Sequence, residues 1–260
     1  MIVAAAPSTR RVEALMGTVV SIDVRDRGLP AADIESAIEA TVETLRSIEA
    51  RFSPYQADSE ISRIGRGELE AADAHPDVRF VLERCEEIRE ASGGAFDVYR
   101  HRPDGRLDPS GFVKGWAVEV AATALRAAHA RSFTINAGGD VLAAGEVEPG
   151  RPWRVGIRHP DDARQVVAVL GVRDLAVATS GAYERGAHIV DPRSGLSPRE
   201  LTSVTVVGPS LAWADGAATA AFVMGESGLA WIASQPGYAA LASTADGRLV
   251  WTEGIEALRI

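Results

Sequence analysis

One cysteine in 260 residues rules out an intrachain disulfide, and a cysteine-based zinc site is not expected either. No apolar run is long enough to cross a bilayer. Basic side chains are outnumbered: 27 Lys and Arg stand against 36 Asp and Glu, giving a formal net charge of −9 and a pI near 5.1. That balance argues against nucleic acid or an anionic membrane surface as the main partner, while a local basic pocket remains allowed. The opening stretch MIVAAAPSTRRVEALMG has neither the basic start nor the long apolar core of a signal peptide, so a cytoplasmic chain is expected. There is no tandem repeat and no linker rich in Pro, Gly or Ser. A 46% hydrophobic, 24% charged chain of this length can bury a sizeable core. The expectation is one domain over residues 1–260, with 1–11 a flexible N-terminus.

The pattern alternates long helices with short strands. Val12–Val24 reads as a strand in which Gly17 marks a bulge or a close backbone approach. Ala31–Arg51 carries Ile34, Ile38, Val42, Leu45 and Ile48 at helical spacing, and Pro54 stops it. Phe52–Ile64 reads as a polar loop with two aromatics, either pinned to the core or held out for binding. Pro76–Ala91 is a second helix with Cys85 on its apolar face, an inert buried thiol. Gly115–Ala130 is a third. Phe133–Ala137, Val141–Gly145, Trp153–Ile157, Gln165–Leu170, Leu175–Ala178 and Leu201–Val207 read as strands, Ser210–Met224 as an alanine-rich helix, and Tyr238–Thr252 as a hairpin. Such an order predicts an α+β fold around a mixed or antiparallel sheet with packed helices.

Four stretches carry chemistry. In DPSGFVKGWAVE, Asp108 or Ser110 can cap a helix whose first turns hold Lys114, where the helix dipole disfavours a cation. An anion at the same place would resolve the conflict, and Gly111 and Gly115 would let it approach the backbone; the alternative is a solvated lysine between packing glycines. SGGAFD places Phe96 and Asp97 directly after a flexible backbone. Ala178–Leu196 crowds Thr179, Ser180, Tyr183, Arg185, His188, Asp191 and Arg193 together. His188, at the mouth of an expected strand, could move a proton; the arginines would suit a phosphate; Ser, His and Asp invite a hydrolase triad, though no GxSxG elbow accompanies them. Asp215 and Thr219 share a helix face and offer hard oxygens to Mg²⁺ or Ca²⁺, too few for a full cage without phosphates, water or a carbonyl.

Taken in order, MGT, FSPYQADSEIS, SGGAFD, DPSGFVKGWAVE, INAGGD, ATSGAYER, HIVDPRSG and ADGAATAAF resemble the ApbE family of FAD:protein FMN transferases, over roughly Met16 to Gly225. The resemblance implies an FAD site between two intimate lobes. It implies Mg²⁺-dependent transfer of FMN from FAD to a Ser or Thr hydroxyl of a target flavoprotein, with release of AMP. A member of the family that hydrolyses FAD to FMN and AMP is the alternative, and a flavin-binding protein without turnover a further one. Residue by residue, it implies Asp215, Thr219 and the Gly111 carbonyl as metal ligands. Met16, Tyr55, Ala95, Phe96, Asp97, Asp108, Lys114 and Ile189 fall at FAD-contacting positions, and His188 at the catalytic histidine. The chain departs from the family pattern at Pro109-Ser110, Val113 and Ala182, and in its short links between Asp97 and Asp108 and between Arg185 and His188.

Overall fold

The computed structural model describes residues 8–26, 28–100, 105–162, 164–182 and 189–260. The segment read as one strand over Val12–Val24 is a hairpin of β1 (Thr9–Leu15) and β2 (Thr18–Val24), with Leu15 opposite Thr18. Its turn is Met16-Gly17, both at positive φ (55° and 67°), as a tight two-residue hairpin turn requires. A methionine there is uncommon, which is why the pattern read as a bulge. Because β1 starts at Thr9, residues 9–11 are strand and not part of a flexible terminus.

Helix α1 (Ala31–Phe52) buries the expected apolar stripe. The loop after it contains α2 (Glu60–Gly65), which the sequence pattern did not reveal; Ser59 caps it by accepting the Ser62 N–H. Next come α3 (Pro76–Ala91) and α4 (Ser110–Ala127). Pro109, not Asp108, is the N-cap residue of α4, and it makes no side-chain cap. Asp108 instead holds the turn from outside, its Oδ1 accepting the Ser110 N–H at 2.9 Å.

The remaining elements are β3 (Phe133–Ala137), β4 (Asp140–Ala144), β5 (Trp153–Arg158), β6 (Val166–Val172), β7 (Leu175–Gly181), β8 (Leu201–Gly208), α5 (Leu211–Met224), α6 (Glu226–Ala233), β9 (Ala239–Thr244), β10 (Leu249–Trp251) and α7 (Glu253–Glu256). Ile189-Val190, expected in a strand, lies outside any strand. Eight strands form one sheet in the order β1-β2-β3-β4-β7-β8-β9-β10, every pairing antiparallel, and β5 and β6 form a separate hairpin. The fold is therefore α+β, with α1, α3, α4, α5 and α6 on one side of the sheet and α7 on the other.

Alternation along the strands assigns the two faces. Val20, Ile22, Phe133, Ile135, Val204 and Val206 pack against α1, α4 and α5 in the larger core. Val141, Val177, Val207 and Leu241 point the other way, onto Trp153 and Leu170 of the β5–β6 hairpin and Ile255 of α7. Strand β8 is thus covered on both sides and buried almost throughout. Helix α5 lies between the sheet and α4 and is built of small residues, which lets its neighbours come close. The tightest approach is Gly115 of α4: a Cβ there would stand 2.7 Å from the Leu211 carbonyl carbon and 2.9 Å from the Ala212 Cα.

This contact makes a prediction. Gly115→Ala should gain about 1 kcal/mol of helix propensity but lose about 1–3 kcal/mol to overpacking. The expected result in urea is a lower unfolding midpoint with an unchanged slope.

Candidate active site

Helix α5 is apolar almost all round, yet it buries Asp215, 3% exposed. A buried carboxylate must find donors. One is the backbone N–H of Gly115, 3.0 Å from Asp215 Oδ2. In a regular helix that N–H belongs to the carbonyl four residues earlier, that of Gly111. The glycine contact between α4 and α5 is what brings the two helices close enough for the bond.

Lys114, one residue earlier, resolves the conflict with its own helix dipole inside the protein. Its ammonium stands 2.7 Å from Asp140 Oδ2 and 3.9 Å from Asp215 Oδ1. Asp140 is fully buried at the start of β4; its Oδ1 accepts the Thr179 N–H at 3.0 Å and, among the described residues, its Oδ2 has no partner other than the lysine. The preceding Gly138-Gly139, both at positive φ, form the tight turn that sets Asp140 opposite Ala137 on the helix side of the sheet. The anion expected beside Lys114 is thus, first, a protein carboxylate.

One turn beyond Asp215, the Thr219 hydroxyl meets Ser180 Oγ at 3.1 Å, from the end of β7. It also faces Gly111, where a Cβ would sit 3.3 Å from both Thr219 Oγ1 and Phe96 Cε2. Ala95-Phe96-Asp97 follow α3; the Phe96 N–H is held by Ser92 Oγ, and Asp97 Oδ1 accepts the Tyr99 and Arg100 N–H groups. The Asp108 N–H bonds to the Val98 carbonyl, tying this segment to the start of α4.

These elements enclose a cavity of about 580 Å³. Met16, Tyr55, Ala95, Phe96, Asp97, Asp108, Gly111, Lys114, Ile189, Asp215 and Thr219 all line it, drawn from most of the length of the chain. Tyr55, 70% exposed, is not pinned to the core as Phe52 is. His188 lies outside the described residues, as do Tyr183 and Arg185.

A hydrolase triad finds no support among the described residues. Ser180 is engaged with Thr219, and Asp191 takes a two-pronged bond from Arg193, Nε at 2.9 Å and a terminal nitrogen at 3.0 Å. Those bonds hold the Asp191 carboxyl below its usual range and occupy the arginine that looked suited to a phosphate. No group of three or more His, Cys, Asp or Glu that could hold a metal occurs among the described residues. A cation here would draw on carboxylate, hydroxyl and carbonyl oxygens together with those of a ligand, a donor set suited to Mg²⁺. Sequence reasoning passed over Asp140 and the Ser180–Thr219 contact. The INAGGD motif contained the signal, but its glycines drew attention to the backbone.

A model of the ApbE family matches residues 16–100 and 98–242. The FAD:protein FMN transferase of Haemophilus influenzae is 26% identical over 273 residues, covering 81% of this chain and 79% of that protein. The FAD:protein FMN transferase of Rhodobacter capsulatus is 39% identical over 164 residues, covering 60% of this chain and 31% of that longer protein. The chain superimposes on the flavin transferase ApbE from Vibrio cholerae with a TM-score of 0.82 at 24% identity, covering 97% of this chain and 100% of that one. The ApbE protein of Thermotoga maritima gives 0.85 at 22% identity, covering 98% and 100%.

Cys85 lies behind this site. Burial, with the Asp215 charge adding to it, pushes its thiol well above the ordinary range. The folded protein should therefore resist a thiol reagent at mildly alkaline pH and take up one equivalent only on unfolding, followed by absorbance of the released chromophore.

Proposed function

This chain belongs to the ApbE family, and we propose that it transfers FMN from FAD to a Ser or Thr hydroxyl of a target flavoprotein, in a Mg²⁺-dependent reaction that releases AMP. The observation that carries the reading is the shared wall of one cavity. Asp215, Thr219 and Gly111 meet there with Met16, Tyr55, Ala95, Phe96, Asp97, Asp108, Lys114 and Ile189, the residues for which the family resemblance implies FAD contacts.

The donor set fits a divalent cation. Asp215 and Thr219 lie one helical turn apart, Gly111 faces Thr219, and the Gly115 N–H that would ordinarily occupy the Gly111 carbonyl bonds to Asp215. Gly111, Asp215 and Thr219 would hold Mg²⁺, which when bound offsets the negative charge of the pyrophosphate and of the AMP leaving group. The chain's own groups do the rest. Phe96, Met16 and Tyr55 supply apolar and aromatic surface for a flavin, and Lys114 lines the cavity that takes the phosphates.

In the transfer, the acceptor hydroxyl oxygen forms a bond to the FMN phosphorus as the bond from that phosphorus to the AMP oxygen breaks. The hydroxyl proton passes to His188, the residue that falls at the family's catalytic histidine. AMP departs with the electron pair of the broken bond.

Incubation with FAD, Mg²⁺ and a candidate acceptor should leave an FMN adduct on the acceptor, read by mass spectrometry. Free FMN and AMP with no adduct would identify the reaction as hydrolysis instead. His188→Ala should abolish transfer while FAD still binds, measured by quenching of flavin fluorescence; undiminished transfer removes His188 from the mechanism. Asp215→Asn should raise the Mg²⁺ concentration for half-maximal rate by about tenfold or more.

A further inference from the structure

Lys114 has two carboxylates within reach and stands against one of them. Its ammonium lies 2.7 Å from Asp140 Oδ2 but 3.9 Å from Asp215 Oδ1. Asp140 is fully buried and its Oδ2 has no other partner among the described residues, so the lysine is the group there that makes its charge tolerable. The second oxygen, Oδ1, is fixed by the Thr179 N–H, which anchors the carboxylate to β7 and prevents it from following the lysine elsewhere. The next residue on β7, Ser180, holds the Thr219 hydroxyl. Asp140 is therefore built into the framework on one side and grips a long, flexible side chain on the other.

The consequence concerns Asp215. An ammonium that closed on it from 3.9 Å to hydrogen-bond distance would tighten that ion pair and compete with any divalent cation for the same oxygens. We propose that Asp140 is a positioning residue: it keeps the Lys114 ammonium against its own carboxylate, so that the lysine faces the cavity and does not tighten onto Asp215, where a divalent cation would bind. The proposal rests on the FMN-transferase reading of the cavity, but it concerns a residue to which that reading gives no part. Asp140 is not among the residues lining the cavity; it acts through Lys114.

The test separates the charge from the scaffold. Asp140→Asn keeps the shape and the Thr179 bond but drops the charge, which leaves Asp215 as the nearer anion for the lysine. Mn²⁺ binding in the presence of FAD, followed by the loss of the free-ion electron paramagnetic resonance signal, should weaken by about 10- to 100-fold. The double variant D140N/K114M removes the competing ammonium, so its Mn²⁺ affinity should return toward that of the unchanged protein even where transfer stays slow. Unaltered Mn²⁺ affinity in D140N overturns the proposal. So does equal weakening in the double variant, because that would mean Asp140 shapes the site without acting through the lysine.

Thermal unfolding of each variant is recorded alongside. If D140N fails to fold but D140N/K114M folds and binds Mn²⁺, the pairing is supported; if both fail to fold, Asp140 serves the scaffold and the proposal falls. The protein without substitutions decides the underlying reading independently. If it neither binds Mn²⁺ with FAD nor transfers FMN, the functional assignment fails; if it does both while D140N matches it, only the role of Asp140 fails.

Discussion

The structure turns on a carboxylate buried in a helix that has almost no other polar group facing inward. Helix α5 threads between the sheet and α4, and its alanines and glycine let both neighbours approach. Burying Asp215 in that setting costs more than any apolar contact nearby returns, unless donors are fixed beside it. The Gly115 N–H is such a donor, and it reaches Asp215 only because position 115 has no side chain to hold the helices apart. The same approach sets Gly111 against Thr219 and Phe96, and Lys114 between two carboxylates. One close crossing of two helices thus determines where several cavity residues stand.

The sheet makes the crossing rigid. Strands β7 and β8 are covered by α5 on one face and by the β5–β6 hairpin on the other, so their side chains are packed in both directions. Ser180 and the Thr179 N–H sit at the end of that doubly buried strand and hold Thr219 and Asp140 respectively. Interiors packed on both sides deform little. A ligand cage with few protein donors benefits from such a frame, because each donor must be in place before the ligand arrives.

Much of this was legible in the sequence because local periodicity and local structure agree. The apolar stripe from Ile34 to Ile48 specifies α1, Pro76 marks the start of α3, and Phe133–Ala137 alternates as β3 does. Reading failed where a residue behaves against its type or where an element is short. Met16 adopts a positive φ that favours glycine, so a hairpin looked like one bulged strand. Helices α2 and α6 span only a few turns and have too few positions for a period to emerge. The site was legible through the order of its motifs, since no local rule predicts that Ala95, Gly111 and Thr219 meet. The Lys114–Asp140 pair was illegible for the same reason. The lysine announced a missing anion, but whether a ligand or a distant carboxylate supplied it depends on how β4 packs beneath α4.

The departures from the family pattern can now be weighed by what they touch. Pro109 serves the helix start well, its carbonyl accepting the Phe112 and Val113 N–H groups at 2.9 Å each. Val113 is buried on the cavity wall, where an apolar side chain sets volume and leaves charge alone. Ala182 follows the end of β7, and its N–H bonds to the Thr202 carbonyl, a contact that any side chain but proline would permit. None of the three supplies a side chain to the polar set formed by Lys114, Asp140, Ser180, Asp215 and Thr219. A wall can exchange methyl groups for a modest cost when neighbours adjust. Asp140 has no such tolerance, because losing the Lys114 ammonium would leave a fully buried carboxylate without its counterion. These three changes therefore fall where the physics is forgiving, with Val113 alone among them lining the cavity.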